Sequence, residues 1–154
     1  MNNKQAMAAL VLATAAGLTI PAPARAFGAS DVAGTWTIAA RKLVYSAVMY
    51  TTLEKDGSCS QALKVSGMGM TKWAFDRCAW SLQKSELSIR IISSPTLPDQ
   101  VGKTSVTTIR SLTPDALQTE DQKHEAQTWT RTAEWPTEFT KQFDDAYAAA
   151  TKVD

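Results

Sequence analysis

Few residues in this chain have the type and spacing to do chemistry. His124 lies in the charged stretch Asp121-Gln122-Lys123-His124-Glu125, where it could serve as a base or, with Asp121 and Glu125, hold a metal. A zinc site normally needs three or four closely arranged ligands. A Ser-His-Asp set needs a nucleophile held on a sharp strand-to-helix turn. The surroundings of His124 offer neither pattern. Asp56, Asp99 and Asp115 stand at turn positions, which Asp favours because its side chain hydrogen-bonds the nearby backbone. Gly67-Met68-Gly69 is too short for a phosphate loop and is not followed by a helix. The reading is therefore no catalytic residue, no metal and no cofactor.

Two other sets stand out. Cys59 and Cys78 are the only cysteines, and the five tryptophans are Trp36, Trp73, Trp80, Trp129 and Trp135. Trp73 and Trp80 lie on either side of Cys78 and either fill a core or line a cavity, so they are the candidate ligand-binding residues.

The compartment decides how the cysteines are read. Residues 1–26 have the three parts of a secretory signal: Lys4, an uncharged run from Ala6 to Ile20, and Ala24-Arg25-Ala26 after Pro21 and Pro23. The apolar run, roughly 15 residues, is short of the ~20 that span a bilayer as a helix. Cleavage is expected after Ala26, before Phe27, giving a periplasmic or secreted chain with no membrane span. Losing Lys4 and Arg25 takes the 16 basic residues to 14 against 15 acidic ones. A near-neutral chain without a basic patch argues against nucleic acid as a partner, and no Lys/Arg-rich amphipathic stretch suggests anionic lipid. In an oxidising compartment an even pair of cysteines points to one disulfide, worth on the order of 3 kcal/mol. A metal pair or reactive thiol would call for a CxxC spacing or a nearby His, and neither occurs.

The elements that must position these residues are mostly strands. Gly34 to Arg41 alternates Trp36, Ile38 and Ala40 with Thr35, Thr37 and Ala39, the period of a half-buried strand. Ala47 to Glu54 follows, Asp56-Gly57 turns the chain, and Cys59 to Val65 returns. With the next turn at Ser66 to Met70, counting outward in register sets Cys59 opposite Cys78, close enough to bridge. Trp73 and Phe75 have the opposite parity to Cys78, Trp80 and Leu82, so a bulge or break near Asp76-Arg77 is expected to bring both sets to the core side. Leu87 to Ile91 is another strand, and Ser93 to Gly102, with Pro95 and Pro98, is a long loop. Lys103–Leu112, Leu117–Glu120 and Glu125–Thr132 complete eight or nine short strands. After Pro136, Phe139, Phe143, Tyr147 and Ala150 recur at helical spacing, predicting a helix over 136–152.

Val32-Ala33-Gly34-Thr35-Trp36 at the first strand and Thr128-Trp129-Thr130-Arg131 on the last resemble the small bacterial lipocalin-like (calycin) barrels, which open with Gly-x-Trp and carry an Arg on the closing strand. The resemblance implies that Arg131 packs over Trp36 at the closed end, a cation–π contact. It implies a mostly β fold: an antiparallel up-and-down barrel of about eight strands over 27–132, with the C-terminal α-helix packed on it. The second motif of the larger lipocalins, Thr-Asp-Tyr, is absent. The order Cys59, Cys78, Trp80, Leu87-Ser88-Ile89 is also similar to small periplasmic inhibitors of metalloproteases, whose N-terminal strand enters the protease cleft. That would make Phe27 to Ser30 the working end, although the extra hairpin and the C-terminal helix depart from that family.

The expected function is thus a monomeric, exported, non-enzymatic binding protein for a small apolar ligand or an envelope protein. The alternative is an inhibitor or immunity-type protein acting on a hydrolase. For the ligand version, the mouth is expected at Ser93 to Gly102 with Trp73 and Trp80. A barrel of this size is either filled by side chains or holds one small ligand, and bulky inward positions favour filling.

Overall fold

A computed structural model describes residues 27–152; the expected signal segment, 1–26, lies outside the described residues. A short helix α1 (Ala29–Val32) leads into strands β1 (Gly34–Arg41), β2 (Tyr45–Leu53), β3 (Ser58–Gly67), β4 (Met70–Gln83) and β5 (Glu86–Ser93). After a 3-10 turn (Pro98–Gln100) come β6 (Thr104–Leu112), β7 (Ala116–Glu120), β8 (Ala126–Thr132) and helix α2 (Thr137–Ala150). Each strand pairs antiparallel with the next, and β8 returns to β1 through Trp36↔Arg131, closing the barrel. No described helix is long and apolar enough to cross a membrane.

Register follows from turn chemistry. The β3–β4 turn is just Met68-Gly69, with φ of 50° and 76°, so Gly67 pairs with Met70. Positive φ at both central residues matches the right-handed twist of the strands it joins. Counting from that turn places Cys59 directly across from Cys78, and the two are disulfide-bonded with Cα atoms 4.8 Å apart.

The barrel has two cores, not one. Inside lie Trp36, Leu53, the disulfide, Trp80, Leu87, Ile89, Leu117 and Trp129. Outside, α2 lays Phe139 and Phe143 over Ala62 and Phe75, with Tyr50, Trp73 and Trp135 around them. The expectation that a bulge would bring Trp73 and Phe75 to the inner core fails. The irregularity is present, but in the pairing of β4 with β5: Arg77 faces Ser93 and Cys78 faces Ile91, leaving Ile92 as the extra, exposed residue. The β3–β4 register runs unbroken through it. Side chains in β4 therefore keep strict alternation, and its outward aromatics are covered by the helix.

That cover is well determined. Phe139 meets Tyr50 and Trp73 edge-on at 4.6 and 4.9 Å, and Phe143 meets Phe75 at 5.9 Å. Burying each Phe is worth about 2 kcal/mol. Tyr147 donates its hydroxyl to the Ser93 carbonyl at 2.9 Å while Arg77 lies 4.2 Å over its ring. The helix starts after Pro136 without a side-chain cap, and Glu138 in its first turn pairs with Lys64 at 2.8 Å.

Candidate functional site

The two ends of the barrel differ in chemistry. At one end α1 packs across the opening. Val32 is fully buried, and its carbonyl accepts the indole N–H of Trp36 at 2.8 Å. Arg131 lies 4.0 Å over the Trp36 ring and donates to the carbonyls of Asp31 (2.8 Å), Ala33 (2.9 Å) and Pro114 (2.7 Å). One guanidinium thus ties the N-terminal helix and the β6–β7 turn to the closing strand, using its planar fork of donors. Gly34 stands here at φ 135°, and a Cβ on it would run into the Arg131 guanidinium. The glycine of Gly-x-Trp is therefore dictated by the arginine. Trp129 donates to Thr119 Oγ1 at 3.0 Å, which satisfies its buried indole. This end is packed and paired.

The other end is open. A cavity of about 420 Å³ has an apolar wall formed by Met49, Leu63, Ala74, Ile89, Ile91 and Leu97. All but Leu97 point inward from strands by alternation. Leu97 comes from the loop after β5, and Gln100 and Lys103 of the same connection stand at the rim. Side chains pin that loop where β5 ends and β4 backbone at Phe75 has no ladder partner on that side. Thr96 Oγ1 accepts the Phe75 N–H at 2.9 Å, and Ser94 Oγ donates to the Phe75 carbonyl at 3.1 Å. Leu97 is set in turn by its own N–H donating to Ser94 Oγ at 3.0 Å. The end of β5 at Ser93 thus leaves the Phe75 backbone free to fix one wall of the cavity.

Asp76 faces into this cavity. It belongs to the registered inner row Trp36, Thr51, Gln61, Asp76, which runs across β1 to β4. Gln61 donates to Thr51 Oγ1 at 3.2 Å, but Asp76 Oδ1 is buried with no hydrogen-bond partner among the described residues. Burial pushes its carboxyl above the ordinary value of 3.8, and the Ser94 hydroxyl nearby opposes this only in part. That hydroxyl already donates its proton to Phe75.

The candidate ligand tryptophans are not at this cavity. Trp73 is on the outer face, stacked 5.7 Å from Phe75 beneath α2. Trp80 is buried in the inner core and donates to the Glu54 carbonyl at 2.7 Å, towards the closed end. Both positions follow from the unbroken alternation of β4. The sequence reading missed Asp76, and a signal for it existed: an acid at inward parity between Ala74 and Cys78. Phe27 packs against the inner core beside α1, while Ala29 and Ser30 are exposed. His124, exposed and at φ 64°, pairs its Nδ1 with Glu120 Oε1 at 2.7 Å. Arg110 and His124 together hold the Glu120 carboxyl down at about 2. No group of three or more His, Cys, Asp or Glu among the described residues could hold a metal ion.

No protein-family model and no curated protein matches the sequence.

Proposed function

We propose that this protein is an exported, non-enzymatic carrier of the lipocalin-like kind, holding one small, largely apolar ligand in the open end of its barrel. The observation that carries this reading is the cavity of about 420 Å³ walled by Met49, Leu63, Ala74, Ile89, Ile91 and Leu97. Its size falls within the range of small-molecule sites, and its wall is mostly aliphatic as such sites are. An eight-stranded barrel is just wide enough to hold one small ligand when part of its interior is left unfilled. The Cys59–Cys78 bridge suits an oxidising compartment, which supports export. The cation–π closure by Arg131 over Trp36 supports kinship with lipocalin-like barrels.

Titration with the neutral, environment-sensitive naphthalene dye prodan tests the reading. The wild-type protein is expected to give a saturable fluorescence gain with one site, and Ala74→Phe, which fills the cavity from its wall, is expected to abolish it while the thermal transition persists. A gain that never saturates, or one that Ala74→Phe leaves intact, would show that the cavity is not the binding site.

A further inference from the structure

A cavity meant for hydrocarbon alone would be lined by hydrocarbon alone. This one is lined by the half-buried carboxylate of Asp76, of which one oxygen, Oδ1, is buried and has no hydrogen-bond partner among the described residues. Leaving such a group without a partner is costly, more so when it is charged, and an Ala or Leu at that position would remove the cost. The charged and polar groups facing Asp76 offer little relief. Gln61, across from it on β3, spends a donor on Thr51, and the nearby Ser94 hydroxyl spends its proton on the Phe75 carbonyl. Inward from β5 stand the aliphatic Ile89 and Ile91. Lys103 stands exposed at the rim, and no described cation pairs with Asp76 within 4.0 Å.

We propose that Asp76 is the recognition group for a cationic amphiphile, whose ammonium head pairs with the carboxylate of Asp76 at the cavity wall while its hydrocarbon tail lies along Met49, Leu63, Ile89 and Ile91 towards Leu97. The inference rests on the binding reading above and specifies the ligand's chemistry. A cation brought to a desolvated carboxylate forms a charge-assisted hydrogen bond where the surrounding dielectric is low. It also favours the ionised form that burial alone disfavours. A fatty carboxylate meets the opposite situation. Entering head first, it faces a like charge; held head outward at Lys103, it lays its tail against Asp76. The open end is therefore selective for head-group charge, with the aliphatic wall indifferent to the head and Asp76 deciding it.

The test displaces bound prodan from the full, disulfide-intact protein at neutral pH with decylamine, decanol or decanoate, which share a chain length and differ in the head. Decylamine is expected to compete at about tenfold lower concentration than decanol, the margin of a charge-assisted over a neutral hydrogen bond, with decanoate weakest. Asp76→Asn should bring the amine and the alcohol within about twofold of each other, each competition being read against that variant's own prodan affinity. Asp76→Glu, which keeps the charge, should retain the preference, guarding against a loss caused by misfolding. Decylamine no better than decanol on the wild type, or an amine preference that survives Asp76→Asn, overturns the inference and leaves the carrier reading standing. Absence of prodan binding in the first place removes both.

Discussion

The closed and open ends of the barrel share strands and even share a row of inward residues, yet they treat polar groups differently. In the row Trp36, Thr51, Gln61, Asp76, the indole of Trp36 is capped by the Val32 carbonyl and covered by Arg131. Three residues along the same row, Asp76 has a buried oxygen with nothing to receive a hydrogen bond from. Folding accounts for the first arrangement: the indole has its acceptor, each nitrogen of the guanidinium donates to a carbonyl, and the result ties the N-terminal helix in place. Folding does not account for the second, since the carboxylate weakens the very wall it stands in. Polar groups that folding leaves unpaired in a cavity are where a ligand's chemistry is written.

The contrast predicts opposite signs for substitutions at the two ends. Trp36→Ala should have the largest effect, lowering stability by about 3–5 kcal/mol in urea unfolding, because it empties the most buried aromatic position and leaves Arg131 without a ring to cover. Gly34→Ala should cost about 2 kcal/mol in the same assay, from a positive φ that L residues rarely adopt and from collision with Arg131. Pairing Gly34→Ala with Arg131→Ala should cost less than the sum of the two, since the collision vanishes with the guanidinium.

Asp76→Asn should have the smallest effect and the reverse sign, stabilising by on the order of 1 kcal/mol at neutral pH. Because the carboxyl's native value is raised above 3.8, the folded state keeps its proton longer than the unfolded chain does. Stability contributed at this site therefore falls as pH rises from about 3.8 through the raised native value. The advantage of Asn should be full above that window and absent below it. An Asp76→Asn protein less stable than wild type at neutral pH would show that the carboxylate has a structural partner, and the contrast between the ends would dissolve.

Much of this was legible in the sequence. The turn expected within Ser66 to Met70 fixes a count that sets Cys59 against Cys78, and the alternation from Gly34 onward gives the barrel wall. The helix was legible from Phe139, Phe143 and Tyr147, but its partner was not. Alternation tells which residues share a face; it does not tell which faces are covered. Trp73 and Phe75 looked misplaced only on the assumption of a single core. The orphan apolar stripe of α2 and the wrong-parity aromatics of β4 are each other's explanation. The candidate site was less legible for a related reason. Asp76 sits beside the register shift, where an acid reads as a turn or bulge residue, and its inward direction emerges only from the unbroken β3–β4 pairing. Trp73 and Trp80 drew attention by size, but one packs beneath a helix and the other is held by the Glu54 carbonyl.

Backbone and methyl NMR shifts recorded during a prodan titration would examine the asymmetry most directly. The account predicts saturable shifts at Met49, Leu63, Ala74, Ile89, Ile91 and Leu97, with the Trp36 and Trp129 indole signals unmoved. Shifts centred on those two indoles, or spread over the outer surface beneath α2, would contradict it.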